Sequence, residues 1–208
     1  MNKRTFWVPI LIVLNAMVFL AWSSGGPLRQ EFMQQNFLVS WQALAEGRWW
    51  TLLTSVFSHS LILHLLINMM VLRSFGQVLE QVLGRNVFIV FYLIAGIVSS
   101  FCHVLVSNFI LGYPNMSALG ASGAIAGVLM LFCLMFPNQK ILLFAIIPLP
   151  AIWGALAFVA IDIWGVVAQS NGGGFPIGHG AHLGGALCGL IAYLTYFRKK
   201  RGQAPQLY

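Results

Sequence analysis

Residues 87–107, VFIVFYLIAGIVSSFCHVLVS, run without a single Asp, Glu, Lys or Arg. Wound as a helix at 1.5 Å per residue, the stretch is about 30 Å long, the thickness of a bilayer's hydrocarbon layer. Its apolar residues are continuous and do not alternate, which excludes the strand of a transmembrane barrel. Similar runs lie on both sides of it. Together they predict six spans, near 6–22, 61–79, 87–107, 120–136, 141–168 and 180–197. Composition agrees: 59% of the 208 residues are hydrophobic and 7% are charged, whereas a soluble domain carries about 25% charged residues. The expected fold is all-α, a polytopic membrane bundle of six transmembrane helices forming a single domain over 1–208.

Lys3 and Arg4 before an apolar stretch also suit a secretory leader, but no A-x-A-like cleavage pattern follows Ser23-Ser24-Gly25-Gly26. The first span is therefore expected to be a retained helix. Six spans put both termini on one side of the membrane. That side would hold Lys3, Arg4, Arg73, Arg85, Lys140, Arg198, Lys199, Lys200 and Arg201, against Arg29 and Arg48 on the other. The bias predicts cytoplasmic termini. The net charge of +7 then reads as topology and contact with membrane lipids, not as nucleic-acid binding.

The first loop, roughly 23–60, carries Phe32, Phe37, Leu38, Trp41, Trp49 and Trp50, the composition of half-buried interfacial helices. Cys102, Cys133 and Cys188 all lie inside apolar runs and predict no disulfide framework.

Polar groups inside lipid are costly, so they carry most of the functional information. Counting 1.5 Å per residue from the basic side puts Ser122 at ~21 Å, His182 at ~22 Å, His64 at ~24 Å and Asn68 at ~18 Å. Three spans thus bring polar groups to one level, several ångströms below the opposite surface, where they can share a cavity.

Gly120-Ala121-Ser122-Gly123 opens the fourth span. A serine at a helix start sits beside N–H groups that lack intrahelical partners, and these suit a developing oxyanion. Gly123 and Gly127 equally suit close helix packing. Gly180-Ala181-His182-Leu183-Gly184-Gly185, followed by Gly189, gives the sixth span a matching smooth face. Packing the two faces together would set His182 beside Ser122, where an imidazole can take the hydroxyl proton. His64 and Asn68 stand one turn apart on the second span, and both can donate to an oxyanion.

In this combination the chain resembles the rhomboid family of intramembrane serine proteases, over roughly residues 46–197. Gly76, Glu80 and Gly84 are similar to the family's GxxxExxxG pattern, and Trp49-Trp50 resembles its first-loop Trp-Arg motif. The compact layout looks like that of the bacterial six-span members, and with it the resemblance implies a bacterial inner membrane. The resemblance implies Ser122 as nucleophile, His182 as general base and then acid, and His64 and Asn68 as oxyanion donors. It implies no cofactor or metal, and transmembrane segments of other proteins as substrates. It also implies a Ser–His dyad with no carboxylate behind the histidine, so Asp162 and Glu80 read as structural.

Three departures stand out. Thr51 replaces the usual Arg, with Arg48 nearby. Ala126 occupies the position where some members stack an aromatic ring on the histidine, so another group must orient His182. The glycine-rich loop near 169–179 is long enough to cap the site. The competing readings are a polytopic metal transporter or metalloprotease built on the histidines, with His179 and His182 three residues apart, and a non-catalytic relative that binds membrane clients. No H-E-x-x-H occurs to support a metalloprotease.

Overall fold

The computed structural model describes residues 5–143 and 147–198. Its frame is six apolar helices: α1 (Trp7–Ser23), α2 (Ile62–Leu83), α3 (Arg85–Ile110), α4 (Ser122–Met135), α5 (Ala151–Ser170) and α6 (His179–Phe197). By length and composition α2, α3, α5 and α6 can cross a membrane, while α1 and α4 are shorter. The chain is a polytopic helical membrane bundle. Large side chains that face outward, such as Val13, Leu66, Val90 and Trp164, are each more than half exposed, as lipid-facing residues must be. The basic residues Lys3, Arg4, Lys199, Lys200 and Arg201 fall outside the described residues.

α4 is the central helix, buried along nearly its whole length between α3 and α6. Glycine makes that contact possible. A Cβ on Gly185 would stand 1.9 Å from the Gly123 carbonyl oxygen, and one on Gly189 would stand 2.5 Å from that of Gly127. On α4 itself, a Cβ on Gly123 would meet Ser99 Oγ of α3 at 1.6 Å. The expected small-residue faces therefore pack backbone against backbone, and a methyl group at any of these positions would push the helices apart.

α1 is held differently. Glu80 of α2 is buried, and its Oε1 accepts from the backbone N–H groups of Phe6 and Trp7 at 2.6 and 2.8 Å. Its Oε2 accepts from Val8 at 3.0 Å. The carboxylate thus satisfies the unpaired donors at the start of α1 and lies at the positive end of its dipole. Gly84, at φ +84°, ends α2 and lets α3 begin at the next residue.

Between α1 and α2 the chain forms short helices at Pro27–Phe37, Trp41–Ala45 and Thr51–Thr54, as an interfacial loop should. Ser40 caps the second of them. Val39 pairs with Ala118, tying this loop to the segment that leads into α4. Arg48 donates to the Gln35 carbonyl and pairs with Glu46, so in this structure it braces the loop. The expected span at 141–168 differs from the structure. Lys140–Leu143 and Ile147–Pro150 pair as an antiparallel hairpin, and helix begins only at Ala151, directly after Pro150. Pro148 and Pro150 each lack the N–H that an earlier helix would need.

Candidate active site

A cavity of about 650 Å³ opens among α2, α3, α4, α5 and α6, beneath the loop that joins α5 to α6. Its lining includes Ser122, His182, His64, Asn68, His103 and Phe158. The four residues singled out from sequence therefore share one space.

Ser122 is the first residue of α4. The turn before it depends on Gly120, whose φ of +121° suits glycine and whose missing side chain makes room for His64. A Cβ there would lie 2.6 Å from His64 Cε1. The Gly120 N–H is anchored on the Ser55 carbonyl at 2.9 Å, which fixes the turn. Ser122 Oγ lies 3.0 Å from His182 Nε2, with both groups partly buried. The glycine contacts between α4 and α6 are what allow two side chains on different helices to meet so closely.

The far side of His182 was not foreseen. Asp162 of α5, 2% exposed, lies with Oδ1 3.0 Å from His182 Nδ1 and 2.7 Å from His179 Nδ1. A carboxylate oxygen accepts, so both Nδ1 atoms donate. His182 Nε2 is then left as the acceptor facing the serine hydroxyl, the tautomer that proton abstraction requires. Phe158, one turn before Asp162, stacks on the His182 ring with centroids 5.6 Å apart and planes at 30°. It supplies the orienting surface absent at Ala126, which is buried and packs against Gly185. The reading of Asp162 as a structural group away from His182 is thus replaced. One signal was available: Asp162 is the lone acidic residue of the fifth span, and a carboxylate in lipid needs a strong partner.

On the other wall, Asn68 Nδ2 donates to Nε2 of the fully buried His59 at 2.9 Å. Burial first, and then the neighbouring His64, push the His59 imidazole down to about 4, so near neutral pH it carries a lone pair for that bond. One amide hydrogen of Asn68 is committed there, and the other remains for the cavity. His59, five residues before His64 in the sequence, thus braces Asn68. His103 donates from Nε2 to the Met116 carbonyl at 3.1 Å and so steadies the loop before α4. The 169–179 loop is pinned by Gln169, whose amide donates to the carbonyls of Phe175 and Ile177 at 2.8 and 2.9 Å.

One atom from each of Asp162, His179 and His182 lies within 4.8 Å of the others, a spacing that a cation could use. A cation there would take the Nδ1 lone pair of His182 and leave its Nε2 protonated. That state cannot accept a proton from Ser122, so metal binding and base catalysis are alternatives at this ring.

Comparison with known proteins adds the lineage. The Rhomboid domain pattern matches residues 46–199. Presenilin-associated rhomboid-like protein A, mitochondrial, of Danio rerio is 35% identical over 188 residues, covering 89% of this chain and 46% of that protein. The human presenilin-associated rhomboid-like protein, mitochondrial, is 37% identical, with 89% and 47% covered. Rhomboid protein 1, mitochondrial, of Saccharomyces cerevisiae is 34% identical, with 91% and 52% covered. The chain spans about half the length of these relatives. All three are named as mitochondrial proteins, which overturns the expectation of a bacterial inner membrane, of a bacterial type, and of the cytoplasmic termini that went with it. The multi-pass membrane assignment stands. With a pattern match over most of its length and relatives above 30% identity, the chain belongs to the rhomboid family.

Proposed function

We propose that this chain is an intramembrane serine endopeptidase that cuts transmembrane segments of other membrane proteins. The observation that carries the reading is the line of contacts from Ser122 Oγ through His182 to Asp162, each 3.0 Å long. In the reaction, Ser122 Oγ attacks the carbonyl carbon of the scissile peptide while its proton passes to His182 Nε2. The oxyanion is met by the Ser122 backbone N–H at the start of α4, with His64 and Asn68 as side-chain donors. The C–N bond then breaks, and His182 gives its proton to the departing amine. Water, deprotonated by the same nitrogen, hydrolyses the acyl-enzyme. Asp162 keeps the ring oriented and offsets the charge that His182 acquires.

A peptide bond inside a substrate helix is hydrogen-bonded and shielded, so the substrate must unwind locally to reach Ser122. The site suits this, since its serine opens into a cavity where His64, Asn68, Ser99, Ser100 and His103 offer polar groups among apolar walls. Membership of the rhomboid family supports protease chemistry, and the relatives' names point to a mitochondrial setting.

The test is reconstitution in liposomes with a single-span model substrate. Ser122→Ala is expected to abolish cleavage and fluorophosphonate labelling while the protein stays folded. Cleavage by Ser122→Ala at the wild-type rate would refute the reading. The cluster at Asp162 favours one competitor, a metal-dependent enzyme or transporter; loss of activity on chelation, with Ser122 unlabelled, would support it instead. A folded wild-type protein that retains bound client but neither cuts nor labels would favour a client-binding role.

A further inference from the structure

We infer that His179 is a positioning residue for this reaction, acting on His182 through Asp162; the inference rests on the protease reading above. His179 is the first residue of α6, three residues before His182, and its side chain is 3% exposed. At 2.7 Å its bond to Asp162 Oδ1 is shorter than the 3.0 Å bond from His182 to the same oxygen. Asp162 Oδ2 has no hydrogen-bond partner among the described residues. With His182 alone, the carboxylate would hang on one bond and could turn about its terminal torsion, which is soft. Two N–H donors converging on one oxygen remove that freedom. The Nδ1–H of His182, and with it the tautomer that faces Ser122, is thereby held.

The fold makes room for this ring. A Cβ on Gly165 would lie 2.3–2.4 Å from three atoms of the His179 ring. Gly165 is one turn beyond Asp162 on α5, so one helix supplies both the acceptor and the slot for the second donor. A buried histidine needed only to fill space would be served by any apolar side chain and would not require a donor aimed at the carboxylate. Its Nε2 has no partner among the described residues, so the contact with Asp162 is the polar interaction that orients the ring.

The experiment compares His179→Leu with His179→Asn in the full chain, reconstituted in liposomes. Leu fills the slot without a donor. Asn places an amide nitrogen close to the position of Nδ1 and keeps the bond to Asp162. For Leu the expected result is a kcat lower by roughly 10–100-fold, by analogy with loss of the outer partner of a metal-bound histidine, with KM little changed and Ser122 labelling slowed in parallel. Asn is expected to recover most of that loss. Should Leu fail to fold, Asn against His179→Gln makes the same distinction, because the Gln nitrogen falls near Nε2 instead. Wild-type kcat in the Leu variant, or an Asn variant as slow as Leu or Gln at equal melting temperature, would overturn the inference. If wild-type protein neither cleaves nor labels, the protease reading fails first and takes this one with it.

Discussion

Two buried carboxylates, Glu80 and Asp162, sit in the same bundle, each 2% exposed, and they are put to opposite uses. Glu80 accepts three backbone N–H groups through both of its oxygens, and these bonds hold the start of α1 to α2. Asp162 accepts from two imidazoles through a single oxygen, and one of those rings touches Ser122. Burial alone therefore says little about what an acid in a membrane protein does. The partners decide: amides cannot titrate at working pH and tie a carboxylate to structure, whereas imidazoles exchange protons and tie it to chemistry.

Substitution at each site would sharpen or break that contrast. Asp162→Asn should have the largest effect, because the amide can present its NH₂ to His182 and favour the wrong tautomer. By analogy with soluble triads, a fall in kcat of about 10²–10⁴-fold is expected, measured as initial cleavage rate with melting temperature followed alongside. A rate within about threefold of wild type would return Asp162 to the same class as Glu80. Phe158→Leu keeps apolar volume but removes the stacked face, a contact worth about 0.5–1.5 kcal/mol. The expected loss is accordingly about 2–12-fold in kcat, and no loss would leave the orientation of His182 to Asp162 alone. Glu80→Gln should have the smallest effect on turnover, with kcat per folded molecule unchanged. Its cost should appear as stability, about 1–3 kcal/mol from donors left badly paired at the start of α1, read from unfolding in detergent. A large kcat defect with normal stability would erase the distinction between the two acids.

How much of this was legible beforehand follows from which contacts have a local code. Gly123, Gly127, Gly185 and Gly189 announce a close approach of two helices wherever they occur at four-residue spacing, so the meeting of Ser122 with His182 could be anticipated. His64 and Asn68 share one face of one helix, and geometry along a single helix is readable. Asp162 and Phe158 were missed as partners of His182 because α5 carries no comparable stripe; its rotation about its own axis is set by packing against α4 and α6. The hairpin at Lys140–Leu143 and Ile147–Pro150 was read as helix because its residues are as apolar as a span. Pro148 and Pro150 were the available warning. The contact of His59 with Asn68 was not legible, because its position before the second span hides the turn that brings it back onto that helix.

Sequence by itself determined that the chain lives in a membrane, that it forms a helical bundle, and which two small-residue faces could bring a serine to a histidine. Hydropathy, residue spacing and side-chain size act locally and need no knowledge of neighbours. Only the tertiary structure decided what stands behind the histidine and beneath the asparagine. Those contacts depend on the azimuth of one helix against another, a quantity fixed by the whole packed bundle.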